Sequence, residues 1–390
     1  MAFTGKATFS AGSTLPELAE DVSDVVSIIS PHETPLLDHL GDAPRQATST
    51  VHEWLEDTLL PNTDTVDDDS IANGMTDAII RVANIDRFKV GDQIQIGAGE
   101  EVMLVLAVNA SEIALQRQYG GTTATDIADG VPITILGNAA LEGDAAPVAR
   151  FTNRIRRQNY TQIFTKSVEV SGSQQAAQTL AIADEMDYQV QERLRELIRD
   201  LENCVINGVA STTAPQGDMT VRRTMRGILP AIETNVFTPG DGTVPDGAGT
   251  NDDLLTEPML NAALRAVWAQ SSGTIDTIVC GGFQKRRINE FIASNQRFID
   301  RETTYQSLVH VYESDFGVCR VVMSRWLPTD ALLLLDSSRI DVLALQNRSF
   351  TRHALAKTGD AESAQLIGEY TLEMRNENAH ACIRGLGLAA

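Results

Sequence analysis

The sequence has no run of about 18 apolar residues, so it offers no transmembrane helix. Its first twenty residues, MAFTGKATFSAGSTLPELAE, show no basic region followed by an apolar core, and no secretory signal is expected there. The four cysteines, at 204, 280, 319 and 382, form no CxxC pair. None of the six histidines (32, 39, 52, 310, 353, 380) lies three to five residues from another. This spacing argues against a zinc site and against a disulfide framework, leaving isolated buried thiols as the expectation. Nucleotide and nucleophile motifs are missing too. GAGEEV lacks the third glycine of the dinucleotide fingerprint, and neither GxxxxGK[ST] nor GxSxG occurs. The acidic run NTDTVDDDSIANG has no Gly at position 6 and no Glu at position 12 of a calcium loop, so it reads as a solvated loop. No histidine sits in a readable acid–base constellation. No catalytic residue, cofactor or metal is therefore expected.

Basic residues are also in short supply. Lys and Arg number 31 against 53 Asp and Glu, for a formal charge of −22, and only five of the bases are lysines. That balance argues against general nucleic-acid binding, which needs cations to displace phosphate counterions. An acidic wall can still lie beside a polyanion without sticking to it.

What is present is a chain of 390 residues, 43% hydrophobic and 22% charged, which is long enough for two to three domains with a large core. Residues 1–14 are rich in Gly, Ser, Thr and Ala. LPELAEDVSDVVSII (15–29) has helical apolar spacing, and TPLLDHLG (34–41) reads as a helical turn ended by Gly41. VHEWLEDTLL begins like a strand and runs into the acidic loop. Between 75 and 137 short β-type runs (AIIRVAN, DQIQIG, EVMLVLAVN, EIALQRQY, VPITILG) are separated by turn signals, the pattern of a small barrel or sandwich. Extended segments of similar length, 48–73 and 138–170, bracket this unit. They predict a long hairpin with a domain inserted at its tip. An arm of about 20 residues would reach about 65 Å, against a radius of gyration of about 21 Å for a compact chain of this size.

NYTQIFTKSVEVSG (159–172) alternates with period two. Tyr160, Gln162, Phe164, Lys166, Val168 and Val170 fall on one side, and Thr161, Ile163, Thr165, Ser167 and Glu169 on the other. Next, a stripe of Ile182, Met186, Val190, Leu194, Leu197, Ile198, Leu201 and Val205 predicts a helix over 180–207, closed by Gly208. Glu192 and Glu196 are placed to pair with Arg195 and Arg199 on its polar side. From 255 the pattern is α/β. Helix EPMLNAALRAVWAQ opens after Thr256, followed by strand IDTIVCG, helix FQKRRINEFIASN, and strands SLVHVYE, GVCRVVMS, ALLLLD and RIDVLAL. ESAQLIGEYTLEM and AHACIRGL close the chain as strands.

TPLLDHLG, VHEWLEDTL, NYTQIFTKSVEVSGSQQA, MRGIL, YESDFG followed by RWLP, LLLLD, and GEYTLEMRNENAHACIRGL occur in an order that resembles the major capsid proteins of tailed bacteriophages with the HK97 fold. More narrowly, they are similar to the major head proteins typified by that of phage SU10, over nearly all of 30–388. The resemblance implies an α+β HK97-like fold. Residues 1–47 would be an N-terminal arm, and 48–73 with 138–167 an extended loop. Residues 75–137 would be an inserted all-β domain. Residues 168–221 and 346–390 would form a peripheral domain with spine helix 180–207, and 222–345 an axial domain. The implied function is structural: self-assembly into an icosahedral or prolate head shell enclosing packaged dsDNA, with no membrane involved. The implied partners are copies of itself in hexamers and pentamers, with portal, scaffolding and decoration proteins as further candidates. The implied location is the virion, after assembly in the host bacterial cytoplasm. The extended loop holds a single lysine, Lys166, so covalent Lys–Asn cross-linking of the shell is not expected.

Within that frame the densest basic cluster, Arg150, Arg154, Arg156 and Arg157, is expected to meet acidic surface on a neighbouring subunit, such as Glu53, Glu56, Asp57 or Glu192. The planar guanidinium fork grips a carboxylate in two places at once. The competing reading is a solvated basic face inside one subunit. Two other functional classes stay open: a tail-tube or adhesin-like structural protein, suggested by the β-rich 75–137, and an enzyme with an unrecognised site in 255–345.

Overall fold

A computed structural model of the chain describes residues 33–68, 74–97, 99–143, 150–176, 184–295, 311–357 and 359–388. The expected helix over 15–29 lies outside them. The chain divides into two compact units, one made of residues up to Trp54 and from Arg156 onward, the other of Leu55–Ile155.

Helix α1 (Pro35–Leu40) starts on a proline, whose missing N–H costs nothing at a helix's first position, and stops at Gly41 with φ +70°. Strand β1 (Val51–Glu56) follows. The second unit then contributes β2 (Thr63–Thr65), β3 (Ile79–Arg81), β4 (Asp92–Ile96), β5 (Val102–Val108), β6 (Glu112–Gln116) and β7 (Pro132–Asn138). They form one antiparallel sheet in the order β2-β7-β4-β5-β6-β3. Its two outer strands meet at the Val66–Val82 bridge, where Asp67 N–H donates to Arg81 O and Ala83 N–H to Thr65 O. The sheet thereby closes on itself and leaves few free edge groups. Ile80, Ile94, Met103, Ile113 and Ile133 fill its interior, as the period-two pattern requires.

The first unit resumes with β8 (Ile155–Tyr160), which pairs with β1 in a two-stranded ladder, and β9 (Gln162–Ser171). Next come α2 (Gly172–Ala176), α3 (Glu185–Asn207), α4 (Ile228–Ala231), β10 (Val236–Phe237), α5 (Glu257–Gln270), β11 (Thr277–Cys280) and α6 (Gly282–Asn295). The chain ends with β12 (Val311–Ser314), β13 (Gly317–Met323), β14 (Leu332–Leu335), β15 (Ile340–Ala344), β16 (Thr351–Ala354), β17 (Ala361–Met374) and β18 (Ala381–Ile383). Strand β17 is the spine of a four-stranded antiparallel sheet. It pairs with β9 from Tyr370↔Gln162 to Ala361↔Ser171, and with β15 and β16 on its other edge. A six-stranded mixed sheet runs β10-β18-β14-β11-β13-β12, parallel only at β10/β18 and β11/β13.

The mixed sheet is covered on both faces, which explains why LLLL and TIVC read as unbroken apolar runs. Leu333, Leu335 and Val279 join a core with Leu197, Leu201 and Val205 of α3 and with Phe164, Leu366 and Leu372 of the four-stranded sheet. Leu332, Leu334 and Ile278 point the other way, into Leu260, Leu264 and Val267 of α5 and Ile288 of α6. Helix α3, about 35 Å long by its residue count, is capped by Asp184, whose carboxylate accepts from the N–H groups of Met186 and Asp187. At its other end Gly208 is required by close approach: a Cβ there would lie 2.4 Å from Cys204 O and 2.8 Å from Met225 O.

Several expectations change in detail. The helix expected from 180 runs Glu185–Asn207, and residues 180–183 lie outside the described residues. Only the end of the SLVHVYE strand, from Val311, is described. The barrel takes in β2, which was read as part of the acidic loop, because Asp64 turns inward there. It accepts from Asn84 N–H and Nδ2 and from Arg87 Nη1. The regular ladder of the extended segments is six residues a strand, not about 20. Beyond Glu56 the chain reaches Pro61, which has no N–H to donate, and β2 then pairs with β7.

Candidate functional site

The sequence reading points to the β1/β8 ladder and its arginines. Strand β8 is exposed from Ile155 to Gln158, and only Asn159 and Tyr160, where it enters the first unit's core, are buried. Strand β1 is half-buried or exposed throughout. Within the first unit, Arg156 Nη1 lies 3.5 Å from Glu53 Oε2, with 69% of the arginine side chain exposed. Within the second unit, Arg154 Nε lies 3.9 Å from Asp57 Oδ2, which also accepts from Thr152 Oγ1 at 3.1 Å. Arg150 is turned to backbone, donating to Arg87 O at 3.2 Å and Phe88 O at 2.5 Å. Arg157 and Glu56 each have a contact of their own. Two of the named acids thus meet named arginines inside one chain. Glu192 does not: it pairs along α3 with Arg195 at 2.7 Å. Glu196 pairs with Arg193 and Lys166, not with the expected Arg199.

Glu53 and Asp57 hold their arginines only loosely. Exposed pairs at such distances contribute about 0–1 kcal/mol and leave most guanidinium donors facing water. The strongly held carboxylates lie elsewhere, and sequence reading missed them. Glu373 accepts from His52 at 2.6 Å and Arg45 at 3.0 Å, and Arg45 also reaches Asp341. Burial would raise the Glu373 carboxyl, but these donors outweigh it and hold it below the usual carboxylate range. Glu369 accepts from Thr161 Oγ1 and Arg223 at 2.5 Å and from Arg348 at 2.9 Å. Glu202 of α3, fully buried, accepts from the N–H groups of Leu36 and Leu37 at the start of α1 and from Ser324 Oγ. These three carboxylates tie the segments around α1 and β1 to the closing strands and to α3. Only the alternation of Glu369, Thr371 and Glu373 along β17 could have signalled the first two, and it looks like a solvent-facing stripe; Glu202 is one charge among many on α3.

Burial pushes the thiols of Cys280 and Cys319 up to about 12 and about 11, so they stay protonated near neutral pH. Among the described residues no cluster of His, Cys, Asp and Glu could hold a metal, and no helix is long and apolar enough to cross a membrane.

Residues 3–387 match the family described as SU10 major capsid protein. No curated protein matches the chain. Among solved structures, the chain is similar to the capsid of Myoviridae phage XM1 at 11% identity and a TM-score of 0.52, covering 96% of this chain and 100% of that one. It is similar to the capsid of a native GTA particle at 9% identity and a TM-score of 0.51, covering 99% and 100%. A chain from Microbacterium phage Oxtober96 aligns at 14% identity and a TM-score of 0.51, covering 94% and 96%. At these identities the structural likeness speaks for the fold, which is HK97-like. With the family matched along nearly its whole length, the chain belongs to the SU10 major capsid proteins and serves as a structural subunit of a phage head shell.

Proposed function

We propose that this subunit assembles through hexamers and pentamers into an icosahedral or prolate shell around packaged dsDNA, and that the β1/β8 limb lies across a neighbouring copy. The observation that carries the second half is the exposure of the ladder. A lone two-stranded ribbon is marginally stable in water, and β8 leaves four successive residues, Ile155 to Gln158, open to solvent. Arg150, Arg154, Arg156 and Arg157 then face acidic surface on the neighbour, with Glu53, Glu56, Asp57 and Glu192 as the candidate acids. The in-chain contacts of Arg154 and Arg156 are weak enough to be extended across a boundary. Each such pair adds little, but the shell repeats it in every subunit.

In this reading residues 1–47 are the N-terminal arm, 48–73 and 138–167 the extended loop apart from β2, and 75–137 the inserted β-domain, which β2 joins. Residues 168–221 and 346–390 form the peripheral domain, and 222–345 the axial domain. The subunit has no enzymatic role. Portal, scaffolding and decoration proteins are its further partners, and assembly takes place in the host cytoplasm. The acidic charge suits a wall that does not adhere to the genome it surrounds. Lys166 is engaged with Glu196 and Asp200 of α3, at 3.7 and 3.3 Å, which favours a shell held without lysine cross-links.

The test is the double reversal Arg156→Glu with Arg157→Glu, examined by sedimentation and electron microscopy. A folded chain that forms no particles is the expected result. Normal particles would refute the role given to the limb.

A further inference from the structure

The second unit carries an apolar cleft of about 710 Å³, within the range of ~300–1,000 Å³ typical of ligand pockets. Val90, Leu104, Leu106 and Leu141 line it, and three of these are strongly exposed: Val90 at 61%, Leu106 at 52% and Leu141 at 80%. Among the described residues its charged lining groups are Lys89 and Arg150, with no carboxylate. The guanidinium of Arg150 is held by two neutral carbonyls, those of Arg87 and Phe88, and among the described residues neither cation has a carboxylate partner. The nearby Asp92 is buried and occupied, accepting from Lys89 N–H and Asn138 Nδ2. An electropositive apolar cleft is thus present on a chain of net charge −22.

The same chain displays a segment of matching chemistry. LEDTLL, residues 55–60, interleaves two carboxylates, Glu56 and Asp57, with Leu55, Leu59 and Leu60, exposed by 62, 92 and 49%. We infer that in the shell this cleft receives residues 55–60 of a neighbouring copy, the leucines entering the cleft and the carboxylates meeting Lys89 and Arg150. Packing of two clefts against each other about a two-fold axis is disfavoured, because it would bring Lys89 and Arg150 onto their own copies. Segment into cleft is a heterologous contact: each subunit both gives and receives, so it propagates around a ring as a capsomer requires. The inference rests on the capsid reading and adds to it a site and an occupant.

The test pairs Leu59→Cys with Leu106→Cys in the full chain, assembled into particles, oxidised and run on a non-reducing gel. Covalent dimers and longer ladders are expected from the double variant, and uncross-linked chains from each single variant. Particles that form normally but give no interchain bond, or a bond within one chain, overturn the inference while leaving the capsid reading intact. Wild-type protein that forms no particles overturns both. A second arm does not depend on cysteine geometry: Lys89→Glu with Arg150→Glu should lower particle yield at least tenfold, and adding Glu56→Lys with Asp57→Lys should restore it. Unchanged yield in the first of these variants, or no restoration in the second, contradicts the site.

Discussion

Glu202 and His380 are both fully buried, and their titrations oppose each other. Burial pushes the Glu202 carboxyl up to about 7, against the N–H groups of Leu37 and Leu36 and the hydroxyl of Ser324, which favour the ionised form; Asp38 adds to the rise. The folded chain therefore holds this proton more tightly than the unfolded chain. Stability from this group is greatest below 4.5 and is lost as pH rises towards 7, by about 3 kcal/mol at ~1.4 kcal/mol per pH unit. Burial lowers His380 to about 4, and its Nδ1 accepts from Asp336 N–H. Its contribution is present above 6.5 and is lost as pH falls towards 4, by a similar amount. In the wild-type chain the two slopes largely cancel between about 4.5 and 6.5. Glu202→Gln should expose the histidine, so that stability falls on acidification. His380→Asn should expose the glutamate, so that stability falls as pH rises. Urea unfolding of the unassembled chain at pH 5 and pH 7 measures both, and slopes unchanged from wild type in either variant would contradict the assignment. Neither residue was legible in the sequence. RDLENCVIN shows Glu202 as one more charge on a helix, and a lone histidine in NAHACI carries no sign of what surrounds it. Burial of a polar group is decided by what packs over it, and here the partners are Leu36 and Leu37 of α1 with Ser324 for Glu202, and Asp336 for His380, all far away in sequence.

At the scale of elements, the sequence is most informative where one periodicity or one cap dominates. Helix α3 shows its stripe and its Gly208 stop, α5 its Thr256 cap, whose Oγ1 accepts from Met259 N–H, and β9 its alternation, with Phe164, Val168 and Val170 buried and Ile163, Thr165 and Glu169 exposed. Strand β16 went unread, because TRHA is exposed at all four positions and owes its form to pairing with β17. The polar face of β17 gives no sign of its burial in the sequence: Glu369, Thr371 and Glu373 alternate like a solvated edge yet are covered. In the barrel one buried pair is the staple. Glu101 accepts from Arg117 Nε and Nη2 and from the N–H groups of Gln118 and Thr125, while Arg117 also reaches the carbonyls of Gly74, Asp77 and Thr125. Arg117→Met leaves a fully buried carboxylate without its cation, a loss of about 3–5 kcal/mol. Amide hydrogen exchange in β4–β7 should then quicken by about a hundredfold or more. Exchange within tenfold of wild type would show that the barrel does not depend on the pair.

For the whole molecule, the order of parts was readable because each has its own composition: short β runs with turns, one long amphipathic helix, then α/β alternation. The limits of the parts were less so, since β2 belongs to the barrel through Asp64 and a three-residue pairing that no pattern announces. The pairing of Arg156 with Glu53 and of Arg154 with Asp57 inside one chain was not readable either, because charges at the surface carry no sequence mark of their partner. Under the proposed function, the exposed limb and the open cleft are completed by other copies of the chain. Electron microscopy of the purified protein, with sedimentation over a range of concentrations, measures this directly. Closed megadalton particles in which residues 51–60 and 150–160 lie against a neighbouring subunit are the predicted result. A monomer that stays ordered through those residues and does not respond to concentration would contradict it.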